Sequence, residues 1–327
     1  MTTGPADFSA ETLTIDAEAE TARIVAALRR QLREPLHKRG LVLGLSGGID
    51  STACAALAAR AVGPGKVFCL FMPERDSDPE SLRLGRLVAE RFGLQGEVED
   101  IGDALQALGC YRRRDAAVRS IVPEYGPGWG FKIVIADPLE APGYNISSLV
   151  AQAPDGQVSR HRLTAPAYLA IVAATNMKQR VRKLMEYSHA DRLDYAVVGT
   201  PNRLEYDQGF FVKNGDGSAD VKPIAHLYKS QVYQLAAHLG VPEEILRRPP
   251  TTDTYSMAQT QEEFYFSLPY DKLDLCLYGL NQGLAEDEVA RATGLTASQV
   301  ELVWRDIGAK RKVARYLHAA PQLAAVA

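Results

Sequence analysis

The stretch Leu43-Gly44-Leu45-Ser46-Gly47-Gly48-Ile49-Asp50-Ser51-Thr52 leaves one kind of apolar run and opens another. Residues 41–45 are short, aliphatic and unbroken, which is how a strand buried on both faces reads. Residues 51–62 are alanine-rich and close on Gly63-Pro64, the composition and the stop of a helix. Between them, Gly47 and Gly48 free the backbone to turn and to approach a ligand closely. A loop from a strand end to a helix start points amide N–H groups outward and makes an anion site. Ser46 and Ser51 add hydroxyl donors, and Asp50 adds a carboxylate suited to a magnesium ion riding on phosphates. The string contains neither G-x-x-x-x-G-K-[ST] nor G-x-G-x-x-G, which excludes the Walker A loop and the dinucleotide fingerprint.

Working outward, residues 67–72 read as a second buried strand, and Ser77 or Asp78 with Pro79 starts a helix that runs to Gly93. Residues 97–101 alternate like a third strand. Strand and helix in this rhythm predict an α/β fold with a parallel sheet. Upstream, residues 1–13 are polar, and Asp16 caps a helix with the apolar stripe Ile24, Leu28 and Leu32, ending near Pro35 and Gly40. The rhythm breaks from about residue 110 to 164, where Arg112-Arg113-Arg114 reads as a solvated face and two β-like pieces occur near 132–135 and 157–163. This segment is expected to be an inserted, lid-like element rather than another βα unit. A long helix is predicted over 166–192, a fourth strand over 195–199 and a helix over 224–239. Turns and short helices follow, at 271–277, 286–292 and 298–307. The expected division is a nucleotide-handling domain over 1–245, insertion included, and a flexible loop with a helical C-terminal extension over 246–327.

The composition narrows the class. With 327 residues and roughly 150 per domain, about two domains are allowed. A charged fraction of 24% and an apolar fraction of 46% exclude wholesale disorder. A net charge of −3 offers no global basic field for nucleic acid or a membrane surface. No signal peptide is read, and no apolar run approaches the roughly 20 residues that span a bilayer. Cys54, Cys69, Cys110 and Cys276 are scattered, and the six histidines show no metal spacing. Both observations favour a reduced, cytoplasmic chain without a zinc site.

The string Ser-Gly-Gly-x-Asp-Ser after a buried strand resembles the pyrophosphate loop of the ATP pyrophosphatases, which adenylate a carbonyl or carboxyl oxygen. By itself the loop gives that superfamily and not the substrate. Further strings narrow it: Asn176-Met177-Lys178-Gln179-Arg180-Val181-Arg182, Gly199-Thr200 with Asn202 and Glu205, the run from Phe211 through Lys213, Asp216 and Asp220, and Leu227-Tyr228-Lys229-Ser230-Gln231-Val232. In order and spacing they resemble the ammonia-dependent NAD synthetases, from about residue 41 to 256, interrupted by the insertion. The resemblance implies a Rossmann-like sheet of the adenine nucleotide alpha hydrolase type. It also implies a ligase reaction in two steps. The nicotinate carboxylate of deamido-NAD attacks the α-phosphorus of ATP, and ammonia then displaces AMP from the mixed anhydride.

Carried over residue by residue, the resemblance places Gly44, Leu45, Ser46, Gly47, Gly48, Ile49, Asp50 and Ser51 on the ATP phosphates, with Thr200, Lys229 and Thr251 also contacting ATP. It gives Asp50 and Glu205 to Mg²⁺, and Arg182, Lys213, Asp220 and Lys310 to deamido-NAD. Asp216 falls near the reacting carboxylate or the entering ammonia, so Asp50, Lys213, Asp216 and Lys229 form the expected catalytic set. A homodimer is implied as well, its interface contributing to the deamido-NAD site. The chain departs from the family pattern at Pro250-Thr251-Thr252-Asp253-Thr254, where Ser-Ala is common, and at Ala309-Lys310-Arg311, where a histidine usually leads. The alternatives at this stage are another ATP pyrophosphatase, of tRNA, sulfur or GMP-synthetase-like chemistry, and a nucleotide-binding module without catalysis. Only about 40 residues precede the first strand, too few for the amidohydrolase domain of glutamine-using relatives, so free ammonia, or ammonia from a separate protein, is the expected nitrogen donor.

Overall fold

The computed structural model describes residues 8–135, 147–252 and 254–324. Part of the polar N-terminal stretch, the middle of the insertion and Asp253 lie outside the described residues. Helix α1 (Ala17–Gln31) starts as expected, the Asp16 carboxylate accepting from the Ala19 amide at 3.0 Å. It gives way to a wider turn over Leu32–Leu36, which contains Pro35. Strand β1 (Leu41–Gly44) leads straight into α2 (Ile49–Val62), and β2 (Val67–Phe71) follows. Helix α3 (Pro79–Phe92) is capped by Asp78, which accepts from Glu80 N at 2.9 Å, and closes on a left-handed Gly93.

The third strand, β3 (Gln95–Val98), lies earlier than residues 97–101 and is exposed throughout, because it is the sheet's edge. Ile101, which extended the apparent alternation, is buried instead as the residue before α4 (Gly102–Ala107). With β7 (Ala196–Val197) the parallel order is β3-β2-β1-β7. Leu41 and Leu43 pack into a core shared with α1, α2 and α3, while Val42, Leu70 and Val197 pack on the opposite face with Ala190. Both faces are covered, so β1 carries no polar alternation.

The insertion is a helix and a small sheet. Helix α5 (Cys110–Arg119) lies along α6 (Ala165–Leu193), and β4 (Gly130–Val134), β5 (Ser148–Gln152) and β6 (Val158–Arg162) pair antiparallel in that order. The two β-like pieces of the sequence are β4 and β6. Strand β5 escaped notice because only Leu149 and Ala151 carry its inward face. The arginine run is not a uniform solvated face. Arg112 and Arg113 are exposed, but Arg114 is buried, ion-paired to Asp76 and Asp115 and lying over the Tyr111 and Phe131 rings.

Helix α7 (Arg203–Gln208) follows β7, and α8 covers Lys229–Leu239, not 224–239. Residues 224–227 form a turn whose Leu227 carbonyl accepts from Arg203 N at 2.8 Å, and Tyr228 after it is extended, with ψ 158°, so the helix begins only at Lys229. After α9 (Glu243–Arg247), helices α10 (Tyr270–Gln282), α11 (Glu286–Thr293) and α12 (Ala297–His318) build a second apolar core with Leu13, Leu204 and Tyr228. Helices α10 and α12 are longer than the short pieces expected. Helix α10 docks on α8 by a cap: Asp274 accepts from the backbone amides of Lys229 at 3.2 Å and Ser230 at 2.7 Å. Among the described residues, no helix is long and apolar enough to cross a membrane.

Candidate active site

The loop after β1 holds its shape through local bonds and a close approach. Ser46 Oγ and Ser51 Oγ lie 3.2 Å apart, and the Gly48 carbonyl accepts from Thr52 N and from the hydroxyls of Ser51 and Thr52. Gly47 has φ +73°, and a Cβ there would fall 2.5 Å from Leu84 Cβ on α3, so only glycine fits. The free amides at the start of α2 face a cavity of about 1050 Å³. Its walls include the loop, the end of β2, the middle of α6, the ends of β7 and α7, residues 248–252, 254 and 255, and part of α12.

One buried charge cluster stands beside the loop. Lys229, the first residue of α8, is fully buried and ion-paired to Asp50 in the first turn of α2. Asn202 ties Asp50 to Glu205: its Nδ2 donates to Asp50 Oδ1 at 3.2 Å, its backbone N donates to Glu205 Oε2 at 3.1 Å, and its Oδ1 accepts from Glu205 N at 3.2 Å. The last two bonds are a capping box on α7, which N-x-x-E spells in the sequence. Burial, with the Asp50 charge adding to it, pushes Glu205 up to about 8. Burial alone would lower Lys229, but the Asp50 and Glu205 carboxylates reverse that and raise it.

Thr200, Thr251, Asp216, Arg182 and Lys310 line the same cavity as the loop, Glu205 and Lys229. Burial raises the Asp216 carboxyl, which accepts from Val212 N at 2.7 Å. Lys310 donates to the Tyr265 carbonyl at 2.6 Å and pairs with Asp306 at the same distance. Two expected site residues lie apart from the cavity lining. Lys213 donates to the Tyr316 and Ala319 carbonyls at 2.8 and 3.1 Å, closing the end of α12, and Asp220 accepts from Val197 N at 2.7 Å.

The structure adds Lys183 and Glu186, paired at 2.6 Å on α6 with Glu186 raised by burial, to the cavity wall. Helical spacing after Arg182 was the available signal for both. One histidine, His189, meets Glu97 and Glu99 away from the cavity, ligand atoms within 4.8 Å. The Arg192 guanidinium against its Nδ1 at 2.8 Å opposes a second cation there. All four cysteines are free and buried.

The NAD synthase family profile matches residues 20–120 and 139–313. The NH(3)-dependent NAD(+) synthetase of Rhizobium meliloti (strain 1021) is 72% identical over 97% of this chain and 94% of its own. In fold, the chain is similar to NMN synthetase from Francisella tularensis, with TM-score 0.66, 21% identity and 95% and 99% of the two chains covered. It is likewise similar to NH3-dependent NAD synthetase from Campylobacter jejuni, solved with nitrate, with TM-score 0.62, 20% identity and 95% and 100% covered. A profile match across most of the described residues, together with relatives this similar over nearly their whole length, establishes that the chain belongs to the NAD synthase family.

Proposed function

We propose that this protein amidates deamido-NAD with ammonia at the expense of ATP, giving NAD, AMP and pyrophosphate. The observation that carries the reading is the buried Asp50–Lys229–Glu205 cluster beside the amide-rich loop, in a cavity of about 1050 Å³. A carboxylate attacking a polyanion needs charge neutralisation more than proton transfer. Lys229 and the amides at the start of α2 supply it to the phosphates, and Thr200 and Thr251 border the same space. The carboxylate oxygen bonds to the α-phosphorus as pyrophosphate leaves. Ammonia then attacks the acyl carbon, and AMP departs with that oxygen. Asp216, a half-buried acid on the cavity wall, is the group we assign to accept a proton from the entering nitrogen.

The residues fit a magnesium ion. Asp50 and Glu205 are hard oxygen donors bridged by Asn202, and a buried Glu205 raised to about 8 gains from a cation that keeps it ionised. When bound there, Mg²⁺ neutralises phosphate charge. Arg182 and Lys310 on the cavity wall suit the anionic dinucleotide, while Lys213 and Asp220 are assigned to it by family resemblance alone. We assign the protein to a homodimer on the family resemblance. The four free thiols suit a reducing, cytoplasmic compartment.

The test is direct. With ATP, Mg²⁺ and ammonium present, adding deamido-NAD yields NAD, AMP and pyrophosphate; background levels of all three sink the reading. Substrate labelled with ¹⁸O in its carboxylate delivers the label to AMP, whereas label-free AMP excludes the adenylate.

A further inference from the structure

Pro250, Thr251, Thr252, Thr254 and Tyr255 close one wall of the cavity, and the two ends of their segment are tied together by the Thr251–Thr260 bridge, by Thr252 N donating to the Gln259 carbonyl at 3.0 Å and by Gln261 N donating to the Pro250 carbonyl at 3.2 Å. Further bonds reach it from outside. Lys178, in the middle of α6 and 1% exposed, donates to Glu74 Oε1 at 2.9 Å, to Asp76 Oδ2 at 2.7 Å and to the Thr254 carbonyl at 2.9 Å. An ammonium has three donors. Here two go to acids and the third holds the segment. Arg114 of the insertion also pairs with Asp76 and with Asp115, which makes the cluster two cations against three carboxylates. The Thr254 carbonyl is neutral, so the bond to it answers no charge and serves only to hold the segment.

The insertion grips the same segment from the other side. Met257 N donates to the Phe131 carbonyl at 3.2 Å, and Phe131 N donates to Ser256 Oγ at 3.0 Å. The buried Gln259 donates its Nε2 to the Ile133 carbonyl at 2.5 Å. Strand β4 thus acts as a template along one side, with Lys178 pinning the other.

We propose that Lys178 and strand β4 are positioning elements which hold the Thr251-bearing segment in its cavity-lining conformation before nucleotide arrives. This rests on the assignment of Thr251 to ATP. A site already ordered escapes the affinity loss of a partly populated one.

Hydrogen exchange on the full chain without ligand tests the idea, alongside steady-state kinetics. In the unaltered protein, amides over 254–261 exchange slowly before ATP is added. Lys178→Met leaves Glu74, Asp76 and Asp115 with Arg114 alone and endangers folding, so Gln259→Leu, which is uncharged and off the cavity, is the deciding variant. It is expected to abolish most of that protection and, where only about a tenth of the chains remain ordered, to raise KM for ATP about tenfold, with kcat within about twofold. Unprotected amides in the unaltered protein until ATP binds would overturn the proposal. So would a Gln259→Leu chain with exchange and KM unchanged, or with kcat lost and exchange unchanged. Exchange needs no turnover, so a failure of NAD formation in every chain would strike the functional reading and leave this result readable.

Discussion

Asn202 joins two acids that would otherwise repel each other, and it does so with one side chain and one amide. The acids themselves are the sharpest place to probe. Asp50→Asn keeps a group that can accept from Lys229 and removes the charge. Activity is expected to fall about 10²-fold or more in a chain that still folds, its melting temperature lowered because the buried Lys229 keeps only Glu205 as counter-charge. Near-normal turnover would refute the metal and phosphate role of Asp50. Glu205 yields a pH signature. Its folded pKa near 8 lies above the ordinary 4.5, so the folded state binds that proton more tightly. The stability this gives is complete below about 4.5 and is lost as pH rises through about 8. Melting curves of the metal-free protein and of Glu205→Gln should therefore diverge, the parent falling relative to the variant across that window. A constant difference between the curves would mean Glu205 is ionised throughout.

At the scale of elements, the insertion carries the clearest test, because Arg114 turned inward where its two neighbours did not. Arg114→Met leaves Asp76 buried with Lys178 alone and is expected to cost about 3 kcal/mol in urea unfolding. Arg113→Ala on the exposed side should stay within about 0.5 kcal/mol. Equal effects would put Arg114 back among the solvated side chains. The run Arg112–Arg114 could not disclose this, since the partner Asp76 lies on a different element and nothing local marks the pairing. Where a signal was local it was legible: the caps Asp16 and Asp78, the glycine loop, and the unbroken strands β1 and β2 all lie where short-range physics puts them. What depended on distant partners was not. The start of α8 moved because the chain is extended at Tyr228 and Asp274 of α10 caps the helix there, and β3 shifted because an edge strand has little burial to fix its ends. The same limit applied in the site. The glycine loop, Glu205 and Lys229 were readable from strings, whereas Lys183 and Glu186 became visible only once α6 faced the cavity.

Across the whole molecule, the parallel sheet and the C-terminal helices have separate apolar cores that share one chemical cluster. The proposed homodimer predicts a light-scattering mass of twice the 35.7 kDa chain, and a single-chain mass at micromolar concentration would reject it. Asp274 is where the two cores depend on each other, since a side chain of α10 caps the helix that begins with Lys229. Asp274→Ala is expected to lower stability by about 1–2 kcal/mol and to reduce kcat with it, because the cap also fixes Lys229. Unfolding curves and turnover on the same preparation would show whether the two losses travel together. The cap also bears on heredity. Asp50 is encoded early in the gene and Asp274 late, yet each serves the same lysine. A recombination that exchanged the C-terminal helices for foreign ones would leave the nucleotide loop intact and its lysine unsupported. Gene fusions that preserve this chemistry should therefore carry sheet and helices as one block and place their joints outside it.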